Sequence, residues 1–154
     1  MLNLPTYEYY TNSSHFDYEF ESEGPRGVIK KVARFGEMGL NLYNFGFGDL
    51  NEATGEISDT TTSNNGDADK VLGTVAHIIY HFTGLFHGAA IFIKGTSAAR
   101  TRRYQMGISS HWEQIEPVFE VIGRRNGEWE PFKKGTNYEA FIGRRKASFL
   151  LANS

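Results

Sequence analysis

The sequence predicts an α+β fold, a mixed and mainly antiparallel sheet with two helices on one face, in the order βββ(β)αβαβββ. Three observations carry that expectation. Phe16, Tyr18 and Phe20 alternate with Asp17, Glu19 and Glu21, the period of two that a half-buried strand imposes. Val71, Val75, Ile78, Ile79, Phe82 and Phe86 share one helical stripe. Asn126-Gly127 separates two strand-like runs and is the strongest short hairpin signal.

The elements follow in order. His15 to Glu23 reads as a strand, Gly24-Pro25-Arg26-Gly27 as a turn, and Val28 to Phe35 as the return strand. The first arm is acidic and the second basic, so cross-strand charge pairs are expected. Gly36 to Gly39 is read as the next turn. Leu40 to Gly48 is the third strand, with Tyr43, Phe45 and Phe47 on one face. Asp49 to Asn65 is polar and reads as a long loop, with Glu56 to Thr62 as a candidate edge strand. Asp67 to Phe86 is the clearest helix, capped by Asn65 or Asp67 and ended by Gly84 and Gly88. Ala89 to Lys94 is a short apolar run, read as a buried central strand. A second helix is expected from Thr96 or Ser97 to about Ile115, weakened at Gly107 and stopped by Pro117. Val118 to Arg125 and Glu128 to Phe132 make the hairpin, and Tyr138 to Arg145 the last strand. The tail from Ala147 is expected to fray.

Composition narrows the function classes. With 154 residues, 40% of them hydrophobic, the chain can build a core, and one domain over 1–154 is expected, with an ordered core of about 15–146. No cysteine is present, which excludes disulfides, thiol nucleophiles and thiolate metal sites. No run approaches the ~20 apolar residues of a membrane helix, and the first ten residues lack a leader pattern. A soluble, cytoplasmic protein is the expectation, with no membrane association and no cofactor. The formal charge of −2 is unevenly placed. Residues 1–93 hold five basic and twelve acidic side chains, and residues 94–154 hold eleven basic and six acidic. Such asymmetry can mark two binding surfaces or can average out once the halves interleave.

Four groups of residues could carry chemistry. The first is Lys94-Gly95-Thr96-Ser97 followed by Arg100, Arg103 and Tyr104. A strand ends, a helix begins, and free amides at a helix start attract anions. Arg100 and Arg103 share a helix face, Tyr104 lies one turn from Arg100, and Arg102 points elsewhere. Lys94, Thr96, Ser97, Arg100, Arg103 and Tyr104 are therefore the candidate ligand-binding residues. They fit neither the P-loop nor the dinucleotide spacing. A plain helix cap, with the arginines paired to Glu113, Glu116 or acids of the first half, fits the same residues.

The second group is His77, His81 and His87, of which the first two have metal-ligand spacing on a helix; half-buried histidines beside an apolar stripe are the commoner occurrence, and no metal site is assigned. The third is Asp49, Asp59, Asp67 and Asp69, which could hold Mg²⁺ but ordinarily solvate a loop and cap a helix. The fourth is the C-terminal strands, where Trp129, Phe132, Tyr138 and Phe141 mix with Arg124, Arg125, Lys133, Lys134, Arg144 and Arg145. Aromatic and basic residues together can hold single-stranded nucleic acid, although half the aromatics of a strand must face a core. No nucleophile–base pair is visible, since Ser109 and Ser110 merely adjoin His111 in sequence.

Asn44-Phe45-Gly46-Phe47-Gly48-Asp49, Asp69-Lys70-Val71-Leu72 with Val75, and Phe92-Ile93-Lys94-Gly95-Thr96-Ser97 with Arg100-Thr101-Arg102 and Tyr104 together resemble an uncharacterised family of small bacterial proteins. That family is of Bacteroidetes-type distribution and bears a domain-of-unknown-function label. The resemblance runs from about Tyr18 to Lys146. It implies a bacterial, cytosolic protein with no established activity, and it supplies no catalytic residues.

Three functions are therefore expected to compete. The first is a binding module for a phosphate-bearing ligand or nucleic acid at Lys94–Tyr104. The second is a small RNA- or nucleotide-directed enzyme of a toxin–antitoxin or phage-defence module, with Tyr104, His111 or a loop aspartate as acid or base. The third is a regulatory protein that pairs with a cognate small protein or with itself. Whether the chain is an enzyme stays open.

Overall fold

The structure is a computed structural model that describes residues 2–58 and 65–146. Nine strands and three helices are found among them. The strands are β1 (Tyr9–Thr11), β2 (Asp17–Gly24), β3 (Gly27–Gly39), β4 (Leu42–Asn51), β5 (Glu56–Ser58), β6 (Ala90–Ile93), β7 (Phe119–Arg125), β8 (Glu128–Pro131) and β9 (Ala140–Arg145). The helices are α1 (Ala68–Leu85), α2 (Ala98–Ser110) and α3 (Trp112–Ile115). The strands join in the order β1-β2-β3-β4-β6-β9-β7-β8, with β5 on β4, in a mainly antiparallel sheet. The fold is α+β, as expected, with β1 and α3 added to the expected order.

The chain divides into two compact units, one of residues 4–36 and 45–82, the other of 1–3, 37–44 and 83–154. In the first unit, Asp17 stands opposite Arg34 and Glu21 opposite Lys30, so the acidic arm does meet the basic arm. Arg34 Nε lies 2.9 Å from Asp17. Tyr18, Phe20, Ala33 and Phe35 are buried on the strands, and Val75, Ile78 and Phe82 on α1. Phe35 and Phe82 stack with ring centres 3.9 Å apart. Lys31 is buried in this apolar setting because Asp49 of β4 takes its ammonium.

Several boundaries differ from expectation. The segment Gly36 to Gly39 continues β3, and the reversal falls at Leu40-Asn41, where Asn41 takes a positive φ of 54°. Asparagine tolerates that left-handed geometry, and the glycines before it do not need it. Asp49 lies in β4 rather than in a loop, and β5 accounts for Glu56–Ser58 of the expected edge strand; its remainder to Thr62 lies outside the described residues, as does the tail from Ala147. Asn65 and Asp67 do not spend their side chains on capping α1. Asn65 donates to Gly27 O at 2.9 Å, while Asp67 accepts from Tyr7 at 2.6 Å and from Ser22 at 2.5 Å. The second helix breaks at His111, whose ψ of 17° leaves the helical well, and not at Gly107, which is buried inside α2.

In the other unit, β6, β9, β7 and β8 are neighbours. Directly opposed residues share a face, so the register sorts the side chains. Ile91, Gly143 and Val121 lie on the inner face, as do Phe141 and Gly123. Phe132 and Tyr138 join them in the core, and Trp112 of α3 packs on Phe132 at 4.7 Å. Gly123 is required there, because a Cβ would sit 2.4 Å from the Tyr138 ring. The outer face carries Phe92, Ile142, Ile122 and Pro131 in one row and Ala140, Arg124 and Trp129 in the next. The apolar run of β6 is thus buried at Ile91 and only half-buried at Phe92. Asn126 and Gly127 both take positive φ, 53° and 79°, which is what the tight hairpin turn needs.

Candidate functional site

The start of α2 is assembled by short-range bonds. Ser97 is the cap: extended in backbone, it accepts the Arg100 amide on its Oγ at 3.2 Å. Its carbonyl takes the Thr101 amide at 3.0 Å and the Thr101 hydroxyl at 3.2 Å. That hydroxyl in turn accepts the Gly95 amide at 3.0 Å, which folds the end of the strand back onto the first helical turn. The approach is close enough to demand glycine. A Cβ at position 95 would lie 2.5 Å from the Thr101 amide nitrogen and 2.6 Å from Arg100 Cβ.

Around this knot the expected residues fall into two sets. Ser97, Arg100 and Thr101 are brought together against Gly95. Tyr104 is half-buried beside them, and burial pushes its phenol up to about 12, with the Arg100 charge opposing. Lys94, Thr96 and Arg103 are exposed, as is Arg102. The side chains of Lys94, Arg102 and Arg103 make no ion pair with a carboxylate among the described residues, so Glu113 and Glu116 do not neutralise them. The amides of Ala98 and Ala99 likewise meet no protein acceptor among the described residues.

The electrostatics of α2 run against its own dipole. A helix start favours acids, yet the first turn of α2 has none, and Arg100, Arg102 and Arg103 follow in the next positions. The positive potential there has no internal answer from the exposed side chains. Burial keeps the Tyr104 phenol protonated at neutral pH. Ser110 donates to Gly107 O at 3.2 Å and is not aligned on His111.

The other expected groups separate. Among the described residues no three His, Asp or Glu side chains gather as a metal site. His81 shares a 2.8 Å hydrogen bond with the buried Tyr18 through Nδ1 and faces Tyr9 and His15. Burial lowers its basicity, and the neighbouring His15 lowers it further. Asp49 is taken by Lys31 and Asp67 by Tyr7 and Ser22, so the two do not converge; Asp59 lies outside the described residues. Of the C-terminal aromatics, Phe132, Tyr138 and Phe141 are core, while Trp129 is 38% exposed. Arg125 is held by Glu130 at 3.0 Å and Arg144 by Glu120 at 3.3 Å. Arg124, Lys133 and Lys134 are exposed.

Two groupings escaped the sequence. His15 meets His81 from a turn where its amide donates to Asn12 and its φ is a positive 64°, and no spacing rule joins residues 15 and 81. Phe92 meets Trp129 from two strands that are not adjacent, at 6.4 Å. Alternation alone could have placed both on one face, but only with the strand order known.

No helix of the described residues is long and apolar enough to cross a membrane. No match was found among curated proteins or among solved structures. A model described as a family of unknown function, DUF6934, matches residues 3–146. That match takes in both compact units and nearly the whole of the 154 residues, and the protein belongs to the DUF6934 family.

Proposed function

We propose that the protein is a binding module that takes a phosphate-bearing ligand, nucleotide or nucleic acid, at the start of α2. The observation that carries this reading is the charge pattern there: Lys94, Arg102 and Arg103 pair with no described carboxylate, the first turn of the helix holds no acid, and two amides meet no described protein acceptor. A helix built for stability alone places acids at this end. A phosphate group would receive the Ala98 and Ala99 amides, and the Arg100 and Arg103 guanidinium groups would add charge-assisted bonds from the side. Lys94 and Thr96 flank the approach as exposed donors.

The reading is tested by calorimetric titration of the full chain with ATP and with a short oligonucleotide at low salt. Arg100→Ala with Arg103→Ala is expected to weaken ATP binding by about tenfold or more, the scale of losing hydrogen bonds to a charged group. Binding should also fall steeply with salt. Unchanged affinity in the double variant would sink the proposal.

A further inference from the structure

We propose that the outer face of the β6-β9-β7-β8 sheet is a platform for single-stranded nucleic acid, with an unpaired base stacked on Trp129 and the phosphates following Arg124 and Lys94. The argument starts from a distance. Trp129 on β8 and Phe92 on β6 are separated by two strands, so their backbones stand about 14 Å apart at ~4.8 Å per strand. Their rings nonetheless meet at 6.4 Å and an angle of 70°. The indole must therefore lean along the sheet, out of its own row and toward the row of Phe92, Ile142 and Ile122. A large apolar side chain laid flat on a sheet, with 38% of it still open to water, presents one broad face to whatever docks.

Charge decides between occupants. Lys94 directly follows β6, whose Phe92 meets the indole, and Arg124 stands directly opposite Trp129. Neither makes an ion pair with a described carboxylate. The one acid among the described strand residues of this face, Glu120, is matched by Arg144 at 3.3 Å. An aromatic surface edged by unmatched cations suits a ligand that alternates flat apolar rings with single negative charges. A duplex hides its base faces and would use only the cations. A second copy of the chain would have to bury Lys94 and Arg124 against matching acids.

This surface is distinct from the mouth of α2 and shares only Lys94 with it. The test is fluorescence titration of a Trp112→Phe background, in which Trp129 is the sole emitter, with twelve-nucleotide oligo(dT), oligo(U) and a duplex of equal length. Expected results are quenching by either single strand, weaker binding of the duplex, and a loss of about tenfold in Trp129→Ala measured by anisotropy with a labelled strand. Trp129→Phe should keep most of the affinity. Arg124→Ala should flatten the salt dependence by about 0.7 in log–log slope, one phosphate contact. The difference between oligo(dT) and oligo(U) reports which sugar is preferred. Single-strand binding that survives Trp129→Ala but disappears in Arg100→Ala with Arg103→Ala would overturn the platform and leave the α2 site standing; the opposite result would do the reverse. Failure of every oligonucleotide to bind at low salt, or concentration-dependent dimerisation abolished by Trp129→Ala without oligonucleotide binding, would overturn the platform as well.

Discussion

Lys31 and Asp49 form an ion pair between β3 and β4. Both side chains are nearly sealed, at 8% and 12% exposure, on strands whose neighbours include Phe20. Removing Lys31 strands the Asp49 carboxylate in an apolar setting. Lys31→Met is therefore expected to lower the unfolding free energy by about 3–5 kcal/mol, read from urea melts, whereas the paired replacement Lys31→Met with Asp49→Leu should cost far less. His81 gives a second residue-scale expectation. Its folded-state basicity is depressed by burial and by His15, so the unfolded chain binds a proton more readily. Stability should then be full above pH 6.5 and decline as the pH falls below it. Tyr9, Tyr18 and His15 are the groups that face the ring. His81→Asn, which keeps a polar atom near the position of Nδ1, should flatten that decline in melts taken between pH 5 and 7.5. An unchanged slope would assign the acid sensitivity elsewhere.

Among the elements, α1 shows how a helix can be held by something its sequence does not announce. Its apolar stripe was legible, and Val75, Ile78 and Phe82 are buried as that stripe requires. Its partner on another side, the arm before β1, was not. Tyr7 gives its amide to Thr74 Oγ1 at 2.8 Å and its hydroxyl to Asp67, and the Lys70 ammonium lies 4.2 Å from the Tyr7 ring centre. Gly73 makes this possible, because a Cβ there would come 2.1 Å from the Pro5 carbonyl oxygen. Gly73→Ala puts two effects in opposition. Alanine in a helix is worth about 1 kcal/mol over glycine, while displacing backbone costs about 1–3 kcal/mol. A net loss in melting temperature, with earlier proteolytic cutting before Tyr7, is expected; a gain would mean that the arm contributes nothing. The arm lacked any periodicity to read, and its bonds run to residues some sixty positions away.

For the molecule as a whole, the charge division seen along the chain persists in space. The unit of residues 4–36 and 45–82 contains five basic and eleven acidic side chains, and the other unit eleven basic and seven acidic. The candidate binding surfaces fall in the basic unit. The succession of elements along the chain and the hairpins were legible because alternation and Asn126-Gly127 are local signals, while the order of strands in the sheet was not. The reversal at Asn41 was misplaced because four residues with two glycines resemble a turn more than the Leu-Asn pair that makes it. The helix start at Ser97 was legible from its hydroxyl and the glycine before it. The lone indole on the outer face was not separable from its buried neighbours until the register was known, since Trp129, Phe132 and Phe141 look alike in composition.

Gly123 has a consequence out of proportion to its missing side chain. The Tyr138 ring occupies the space its Cβ would take, so the seating of the segment before β9 is governed by a residue of another strand. A larger residue there would lift Tyr138 off the sheet and pull its hydroxyl from Glu130, to which it donates at 3.0 Å.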